Sequence, residues 1–433
     1  MSTDHVNPTR RLSFLESTFQ VATTQIFSSP IYTWATARGL VNLPQVAQAM
    51  RILHQRHPLL RARIAGEPGH YRFVTDVPIE NIPLKECKLS EGDDINNILE
   101  PHMNKPLTGE DRTWGVLFVQ GCRPDQWWLI VETHHAITDG RSAFHLLDQF
   151  GHILGDLVSG ADIEIAALDL PAPIEHQLDP PGSMDHWLKT GEAWAEKIGE
   201  ISHWPIDSDA TFEDRCSCNT FTVHDEAFTR KLADACHAHG TTIQGAMAAA
   251  SAMSISAHLG HAVNIDTITP VDLRRFAAVD IDPREVACKV ICLDTGSFNV
   301  SKESDPWEIA RAYKTTLGQQ LEEDFYPPLD FNPEDVITSI DGWKDVDGRH
   351  THGFSITNTG LLPFDGDYGP VQFEEVDITA TLRFGGFPLL LSVYTYRHKL
   401  RCTYSWTQPT LSRSHALQLS RQVESHLRSM TQS

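Results

Sequence analysis

Residues 127–148 read WWLIVETHHAITDGRSAFHLLD and contain the pattern of a strand, a loop and a helix. The apolar run over 127–131 predicts a buried strand, and a helix is predicted to begin near Arg141. Its apolar residues at positions 143, 146, 147, 150, 153, 154 and 157 are typical of a helix with one buried face. His134 and His135 therefore lie in a loop between two rigid elements, which can hold a catalytic side chain in place.

The histidine pair suits proton transfer at neutral pH, because an imidazole titrates near pH 6.5. Acyl transfer needs such a group twice: an acceptor hydroxyl or amine loses a proton as it attacks, and a leaving thiolate regains one. One alternative is that both histidines are structural, or that one of them caps the helix. A zinc site formed by His134, His135 and Asp139 is a further alternative, although adjacent histidines point apart and no fourth ligand is evident.

Length and charge restrict the function further. The chain has 433 residues, which favours two domains because single cores stop growing at roughly 250–300 residues. Its composition, 41% hydrophobic and 21% charged, is that of a globular protein. The formal net charge of −22 argues against nucleic acids and anionic membranes as partners, because both require a basic face.

No targeting or membrane segment is expected. The first 14 residues, MSTDHVNPTRRLSF, lack a long apolar stretch, and no run of about 20 apolar residues occurs anywhere. The eight cysteines are scattered without paired CxxC spacing. We therefore expect reduced thiols and a cytoplasmic location.

Strands and helices recur in both halves of the chain. Residues 114–120 and 127–133 form a predicted hairpin, because turn residues separate two apolar runs. The segment 171–182 is rich in proline and is interpreted as an interdomain linker. The sequence thus predicts an α/β fold with two layers, divided into residues 1–180 and 181–433.

The motif HHxxxDG at 134–140, placed after a strand and before a helix, resembles that of the condensation-domain-like acyltransferases. This superfamily includes chloramphenicol acetyltransferase, peptide-synthetase condensation domains, polyketide-associated acyltransferases and alcohol O-acetyltransferases. Three further segments resemble the family where the family has them: ILHQRHPLLRARI (52–64), PVDLR (270–274) and SITNTG (355–360). LRFGG at 382–386 stands where plant acyltransferases have DFGWG, so the resemblance does not extend to that subgroup.

The resemblance implies a role for each residue of the motif. His135 is the expected general base, and His134 a residue that packs and orients the loop. Gly140 is expected to let the turn pass close under the start of the helix. ILHQRHPLLRARI, whose residues 59–64 are predicted to form a short strand after a helix, is expected to be structural, with His57 and Arg61 anchoring its helix–strand junction.

The aspartate of the motif and residues outside the motif complete the implied site. The family aspartate, Asp139, is expected to point away from the substrate and to pair with Arg274, with Arg275 as the alternative. A buried carboxylate needs such a partner, and a guanidinium fits it. Ser355 and Asn358 are expected near the channel, where they can stabilise an oxyanion; alternatively, Asn358 belongs only to a turn.

The resemblance also implies an architecture. Two chloramphenicol-acetyltransferase-like subdomains form a V-shaped pseudo-dimer, and only the N-terminal one carries the active histidine. Donor and acceptor enter a channel between them from opposite faces. A crossover segment near 355–390 is expected to close the channel, and Gly385-Gly386 suits its bridging loop.

The expected activity is transfer of an acyl group from a thioester to a hydroxyl or amine of a small molecule, such as a secondary metabolite. Acyl-CoA is favoured over a phosphopantetheinyl thioester, because the chain is expected to stand alone as a monomer and its acidity repels acidic carrier proteins. No bound cofactor or metal is expected. Carrier-protein-dependent condensation, cyclase or epimerase chemistry, and a non-enzymatic binding module are the alternatives.

Overall fold

The structure, a computed structural model, describes residues 9–164, 166–202, 204–322 and 326–432. Its helices are α1 (Phe14–Ile26), α2 (Leu43–Arg56), α3 (Asn96–Met103), α4 (Gly140–Ser159), α5 (Met184–Ile198), α6 (Glu226–Ala238), α7 (Ile243–Leu259), α8 (Pro306–Glu322), α9 (Pro333–Thr338) and α10 (Arg413–Met430). Its strands are β1 (Thr9–Arg11), β2 (Ile31–Arg38), β3 (Arg63–Ala65), β4 (Arg72–Val74), β5 (Leu84–Lys88), β6 (Trp114–Gln120), β7 (Gln126–Thr133), β8 (Trp204–Pro205), β9 (Cys216–Val223), β10 (Val263–Asp272), β11 (Val290–Val300), β12 (Arg349–His350), β13 (Phe354–Leu361), β14 (Asp367–Tyr368), β15 (Val371–Ala380), β16 (Leu390–Tyr396) and β17 (Lys399–Gln408).

The first large sheet has the strand order β14-β15-β2-β7-β6-β5. Strands β6 and β7 pair antiparallel, which confirms the predicted hairpin. Helices α1, α2 and α4 pack with this sheet in the larger apolar core. Helix α4 confirms the predicted one-faced helix, because six of its seven periodic apolar residues are buried and Leu157 is partly buried.

The second large sheet has the order β11-β10-β13-β16-β17-β9. Its central strands β10, β13 and β16 run parallel, and the outer pairs are antiparallel. Alanine-rich α7 forms the second core together with α8, α10 and this sheet. Two sheet-based halves of mixed α/β structure confirm the predicted fold class; the V-shape and the channel stay predictions.

The chain crosses between the two sheets after β13. It adds β14 and β15 to the edge of the first sheet and then returns to the second sheet as β16. Gly385 and Gly386 lie in the loop that makes this return. The first sheet therefore contains strands from beyond residue 180, and the predicted domain boundary at that residue stays a prediction.

The segment 52–64 differs from its prediction in one part. The strand predicted over 59–64 is confirmed only at residues 63 and 64, because a 3-10 turn over Pro58–Arg61 precedes the short strand β3 (Arg63–Ala65). The guanidinium of Arg61 donates to two carbonyls at the end of α2, at 3.0 and 2.5 Å, which holds the turn against the helix. The ring of His57 hydrogen-bonds Gln149 on α4 at 3.0 Å.

The segment 171–182 is firmly packed. Glu175 is buried, and its carboxylate accepts a hydrogen bond from the backbone N–H of Leu15 at 3.0 Å. The ammonium of Lys289, just before β11, donates to the side-chain oxygen of Gln177 at 2.7 Å. These contacts tie the segment to both α1 and the start of β11.

All eight cysteines are free thiols, and four of them are buried. Within the part of the chain that the structure describes, none of the helices combines the length and the apolar character that crossing a bilayer requires.

Candidate active site

The HHxxxDG loop joins the end of β7 to the start of α4. His134 follows the strand, a single 3-10 turn covers His135–Ile137, and Asp139 caps the helix. The side chain of Asp139 accepts the backbone N–H of Ser142 at 2.9 Å, as an N-cap residue does. The loop is therefore short and held at both ends.

His134 is fully buried within this loop. Its backbone N–H donates to the carbonyl of Thr113 at 2.8 Å, and its Nδ1 accepts the N–H of Ala136 at 3.1 Å. Burial, followed by the neighbouring His135, lowers the pKa of His134 to about 3, so this ring is neutral at physiological pH. These contacts fit a residue that shapes the loop.

His135 is partly exposed, and its ring stacks on Phe19 of α1 with centroids 3.8 Å apart and planes 4° apart. Its Nδ1 lies 3.8 Å from the sulfur of Cys288. Burial by the surrounding atoms lowers the pKa of His135 to about 4, although backbone hydrogen bonds and the charge of Asp139 oppose the shift. The ring is therefore a neutral proton acceptor at pH 7, held in one orientation.

Asp139 and Arg274 form a buried ion pair across the two halves of the chain. Arg274 Nη1 donates to Asp139 Oδ2 at 2.8 Å, and the backbone N–H of Lys289 donates to the same oxygen at 2.9 Å. Burial alone would raise the pKa of Asp139. The charge of Arg274 and the hydrogen bonds that the Asp139 carboxylate accepts lower this pKa by more, so the net shift is downward. Arg275 lies instead with its guanidinium over the ring of Phe276.

Arg274 extends this pair into a network. Its Nη2 donates to the hydroxyl of Ser142 at 2.8 Å and to the carbonyl of Ala287 at 3.1 Å. Its Nη1 also donates to the carboxylate of Asp272 at 2.9 Å, and the same carboxylate accepts a hydrogen bond from Nη1 of Arg141 at 3.0 Å. The start of α4 is thus bound to the end of β10 and to the segment just before β11.

Gly140 lies where β13 approaches the start of α4. A Cβ atom at this position would lie 3.2 Å from Thr359 Cγ2 and 3.7 Å from Ile378 Cδ1. The first distance is shorter than most van der Waals contacts of a Cβ atom and the second is ordinary, so a larger residue would press on Thr359 of the strand. The implied role of Gly140, a turn that passes close under the start of the helix, stays a prediction.

Ser355 and Asn358 lie on opposite faces of β13, because side chains alternate along a strand. Ser355 is buried opposite Leu390, which belongs to the larger core, whereas Asn358 shares the face of Ile356, which belongs to the second core. Asn358 accepts the N–H of Gly360 at 2.8 Å. The strand includes Asn358 and continues to residue 361 through an irregular register.

Among the described residues, neither Ser355 nor Asn358 hydrogen-bonds the histidine loop, so their oxyanion role stays a prediction. The zinc alternative has no support in the geometry. Both carboxylate oxygens of Asp139 are already bonded to protein donors. The described residues offer another potential ligand group, Asp266, Asp294 and His352, but Asp266 bonds the ring of His352 at 2.5 Å and raises its pKa to about 9 despite burial.

Three residues of the site carried no signal in the sequence. Phe19 and Cys288 contact the ring of His135, and Lys289 donates its backbone N–H to Asp139. All three lie far from the motif along the chain, and each is a common residue type in an ordinary context. Only the tertiary structure brings them to the loop.

Comparison with known families assigns the chain. The model of the condensation domain matches residues 22–275, and the model of the phthiocerol/phthiodiolone dimycocerosyl transferase C-terminus matches residues 221–396. The first match covers more than half of the sequence. The chain therefore belongs to the condensation-domain family, which confirms the resemblance carried by HHxxxDG.

Individual proteins are similar at lower identity. Over 232 residues, 51% of this chain, it is 25% identical to nonribosomal peptide synthetase 2 of Gibberella zeae, and it spans 4% of the length of that protein. The structure of polyketide synthase associated protein 5 from Mycobacterium tuberculosis is similar over 100% of both chains, with 16% identity and a TM-score of 0.70.

Two further solved structures resemble this one. A trichothecene 15-O-acetyltransferase from Fusarium sporotrichioides is 11% identical with a TM-score of 0.76, covering 99% of this chain and 96% of that one. The starter condensation domain of rhizomide synthetase, solved as a mutant with C8-CoA, is 16% identical with a TM-score of 0.68, covering 98% and 95%. At these identities the likeness concerns the fold.

Proposed function

We propose that this chain is an acyltransferase that moves an acyl group from a thioester to a hydroxyl or amine of a small molecule. The observation that carries the proposal is His135, a neutral and partly exposed imidazole beside the buried Asp139–Arg274 pair. Membership of the condensation-domain family supports it, and so do the dimycocerosyl transferase and the O-acetyltransferase named among the similar proteins.

In the proposed reaction His135 removes the proton of the acceptor as its oxygen or nitrogen attacks the thioester carbonyl. The carbonyl electrons move to oxygen and return when the C–S bond breaks. The imidazolium then gives its proton to the departing thiolate, which restores the neutral ring. Ser355, on the face of β13 towards the larger core, is the proposed donor to the oxyanion, with Asn358 as the second candidate.

In this proposal Asp139 holds other residues in position. Its pair with Arg274 fixes the start of α4, and its negative charge favours the imidazolium that forms during the reaction. Because the carboxylate is bonded to Arg274, Lys289 and Ser142, it has no free oxygen for the ring. It is therefore a positioning residue.

Acyl-CoA is the proposed donor and a secondary metabolite the proposed acceptor. The CoA complex of the similar starter condensation domain supports the donor. The eight free thiols fit the predicted cytoplasmic location, and we propose a monomer. The match to a nonribosomal peptide synthetase favours a second candidate, condensation with a carrier-protein-bound acyl group.

The test is thiol release from a panel of acyl-CoAs, measured with a chromogenic disulfide for the wild type, His135→Ala and a control. His70→Ala is the matched control, because it removes an exposed histidine from another loop. We expect His135→Ala to lower turnover about 10²–10⁴-fold, the usual range for a lost general base, with unchanged circular dichroism. Turnover within a few fold of the wild type would contradict the assignment.

Absence of release from every CoA in the wild type would remove the CoA proposal. A phosphopantetheinylated carrier protein then becomes the donor to supply, with the same two variants.

A further inference from the structure

Trp343 lies at the end of a 3-10 turn, Asp341–Trp343, against the loop that returns from β15 to β16. Its carbonyl accepts the N–H of Gly386 at 2.9 Å, and a Cβ atom at Gly386 would collide with that carbonyl. The backbone N–H of Asp345 donates to the carbonyl of Phe384 at 3.1 Å. The turn and the loop are thus joined along their backbones, which holds Trp343 in one position.

A chain of ring contacts joins Trp343 to the proposed general base. The ring of Phe19 stacks on His135 with centroids 3.8 Å apart, and the indole of Trp343 lies 5.8 Å from Phe19 at an angle of 52°. Because both distances share Phe19, the indole centroid lies less than about 10 Å from the imidazole centroid, within the span of one small-molecule site. Phe384 adds a ring at 5.8 Å from the indole. Trp343 therefore belongs to the surroundings of His135.

Exposure distinguishes Trp343 from the two phenylalanines that it contacts. Phe19 and Phe384 are each 5% exposed, whereas Trp343 and His135 are both partly exposed. Water therefore reaches both the imidazole and the indole. A substrate that binds at His135 and displaces this water can also contact the indole.

The indole N–H of Trp343 is an unused donor. Among the described residues no acceptor lies within hydrogen-bond distance of this nitrogen, which stays accessible to solvent. Trp114 and Trp127, which are buried, instead donate to the carbonyls of Leu60 at 2.8 Å and Gly39 at 2.9 Å. An indole usually finds such a partner when it is buried. Trp343 thus offers an apolar ring with one free donor at its edge.

The charged side chains that flank Trp343 in the sequence are paired. Lys344 Nζ donates to Asp341 at 2.8 Å, and Asp345 accepts two hydrogen bonds from Arg215, at 2.5 and 3.1 Å. Each of these charges is therefore balanced within the protein. A neutral group suits the indole better than an ion, because an ion would find no free counter-charge on this turn.

We infer that Trp343 forms a subsite for a neutral aryl group of the substrate, which contacts the indole while the reacting atom lies at His135. The inference rests on the proposed acyl transfer. Aromatic rings pack with centroids about 4.5–7 Å apart, the spacing that the indole already shows with Phe19 and Phe384. A ring between the indole and His135 is joined to the reacting atom through a few bonds, as in a benzoyl group or a benzyl alcohol. It can belong to the acyl chain or to the acceptor, and the experiments separate these two sources.

The first experiment measures binding to the full chain without turnover. Saturation-transfer difference NMR gives the dissociation constants of benzyl alcohol and of cyclohexylmethanol, which has a saturated ring of similar size. Contact between aromatic rings should favour benzyl alcohol about 2–10-fold in the wild type, and Trp343→Leu should lose this preference. Trp128→Leu is the matched control, because it removes a partly exposed indole that packs against the small apolar cluster at α3.

Trp343→Phe keeps an aromatic ring and removes the indole N–H, so this variant should retain most of the aryl preference. If Trp343→Leu does not fold, Trp343→Met replaces it with another apolar side chain. The inference is overturned if the wild type does not bind benzyl alcohol, if the preference is equal in Trp343→Leu, or if Trp128→Leu loses it to the same extent. Because this readout needs no turnover, it is independent of whether acyl transfer itself is correct.

The second experiment assigns the aryl group to one substrate. Thiol release gives kcat/KM for benzoyl-CoA and for cyclohexanecarbonyl-CoA, and the ratio of the two values is compared between the wild type and Trp343→Leu. A fall of this ratio by about 2–10-fold in the variant assigns the aryl group to the acyl chain. An equal ratio in both proteins, with aryl binding lost in the first experiment, assigns it to the acceptor. Absence of release from both donors counts against the CoA proposal, and the first experiment alone then decides whether the subsite exists.

Discussion

His135 is surrounded by Phe19, Cys288 and backbone groups, and burial lowers its pKa to about 4. The ring is therefore deprotonated throughout the neutral range. We expect the acid limb of kcat/KM to have its midpoint near pH 4, well below the value of about 6.5 for an ordinary histidine. The measurement is kcat/KM as a function of pH from 3.5 to 8. Samples from each pH are also returned to pH 7 and assayed, which corrects for irreversible loss of activity. A midpoint between 6 and 7 would contradict this environment for the ring.

The Asp139–Arg274 pair makes a prediction about stability. Asp139→Asn keeps the size of the side chain but removes the charge, which leaves Arg274 with only the half-buried Asp272. Losing one partner of a buried pair costs about 3–5 kcal/mol. Urea unfolding should show this loss of unfolding free energy for Asp139→Asn. Asp272→Asn is the control, because in that variant Arg274 keeps Asp139, its buried partner. A similar midpoint for the two variants would contradict the assignment of Asp139 as the structural partner.

At this scale the sequence allowed prediction of the motif residues and, through the family resemblance, of the Asp139–Arg274 contact. Ser355 and Asn358 were predicted together, yet strand alternation places them on opposite faces of β13. The ring contacts of Phe19 and Cys288 could not be predicted, because they depend on how distant elements pack.

Among the elements, the segment 171–182 gives a pH-dependent prediction. Burial, followed by the charge of Glu16, raises the pKa of Glu175 to about 7, above its value in an unfolded chain. The carboxyl group of Glu175 therefore stays protonated to a higher pH in the folded state than in the unfolded chain. Its contribution to the free energy of unfolding is greatest below the pKa that the group has in the unfolded chain, and this contribution is lost as the pH rises through 7. Glu175→Gln keeps the acceptor for Leu15 and removes this loss.

We therefore expect Glu175→Gln to be more stable than the wild type at pH 8, by about 1–3 kcal/mol, and nearly equal to it at pH 5. Chemical denaturation at both pH values measures the difference. Glu164→Gln, an exposed carboxylate just before the same segment, is the matched control and should change neither value. A uniform effect at both pH values would show that the ionisation of Glu175 is not responsible.

The strength of a local pattern explains which elements were predicted. Helix α4 has a long apolar periodicity and a capping aspartate, and its existence and extent follow from these. The apolar residues over 59–64 are too few to separate strand from turn, and Pro58 starts a 3-10 turn there. Asn358-Thr-Gly360 has the composition of a turn, but in the structure these residues belong to β13, whose register shifts between Asn358 and Gly360.

For the whole molecule, the crossing of β14 and β15 into the first sheet leads to a prediction about fragments. A fragment of residues 1–180 lacks both strands, which leaves β2 as an uncovered edge with largely buried, apolar side chains. We expect this fragment to aggregate or to lack a cooperative unfolding transition, whereas the full chain unfolds cooperatively. Size-exclusion chromatography and thermal circular dichroism test this. A monomeric fragment with a sharp transition would contradict it.

The α/β class and the presence of two halves could be predicted from the recurrence of strands and helices and from the family resemblance. The exchange of strands between the halves has no local signature. Nothing in the composition of 371–380 distinguishes a strand that pairs with β2 from one that stays in the second sheet. The pairing partner is selected by long-range packing.

The crossing strand also sets the timing of folding during protein synthesis. Roughly 340 residues separate the end of β2 from the end of β15, and at 5–20 residues per second a ribosome needs roughly 20–70 seconds to make them. Throughout that interval the nascent chain presents the bare edge of β2. We therefore expect incomplete chains on the same messenger RNA to be able to pair with one another through this edge until β15 has emerged from the ribosome.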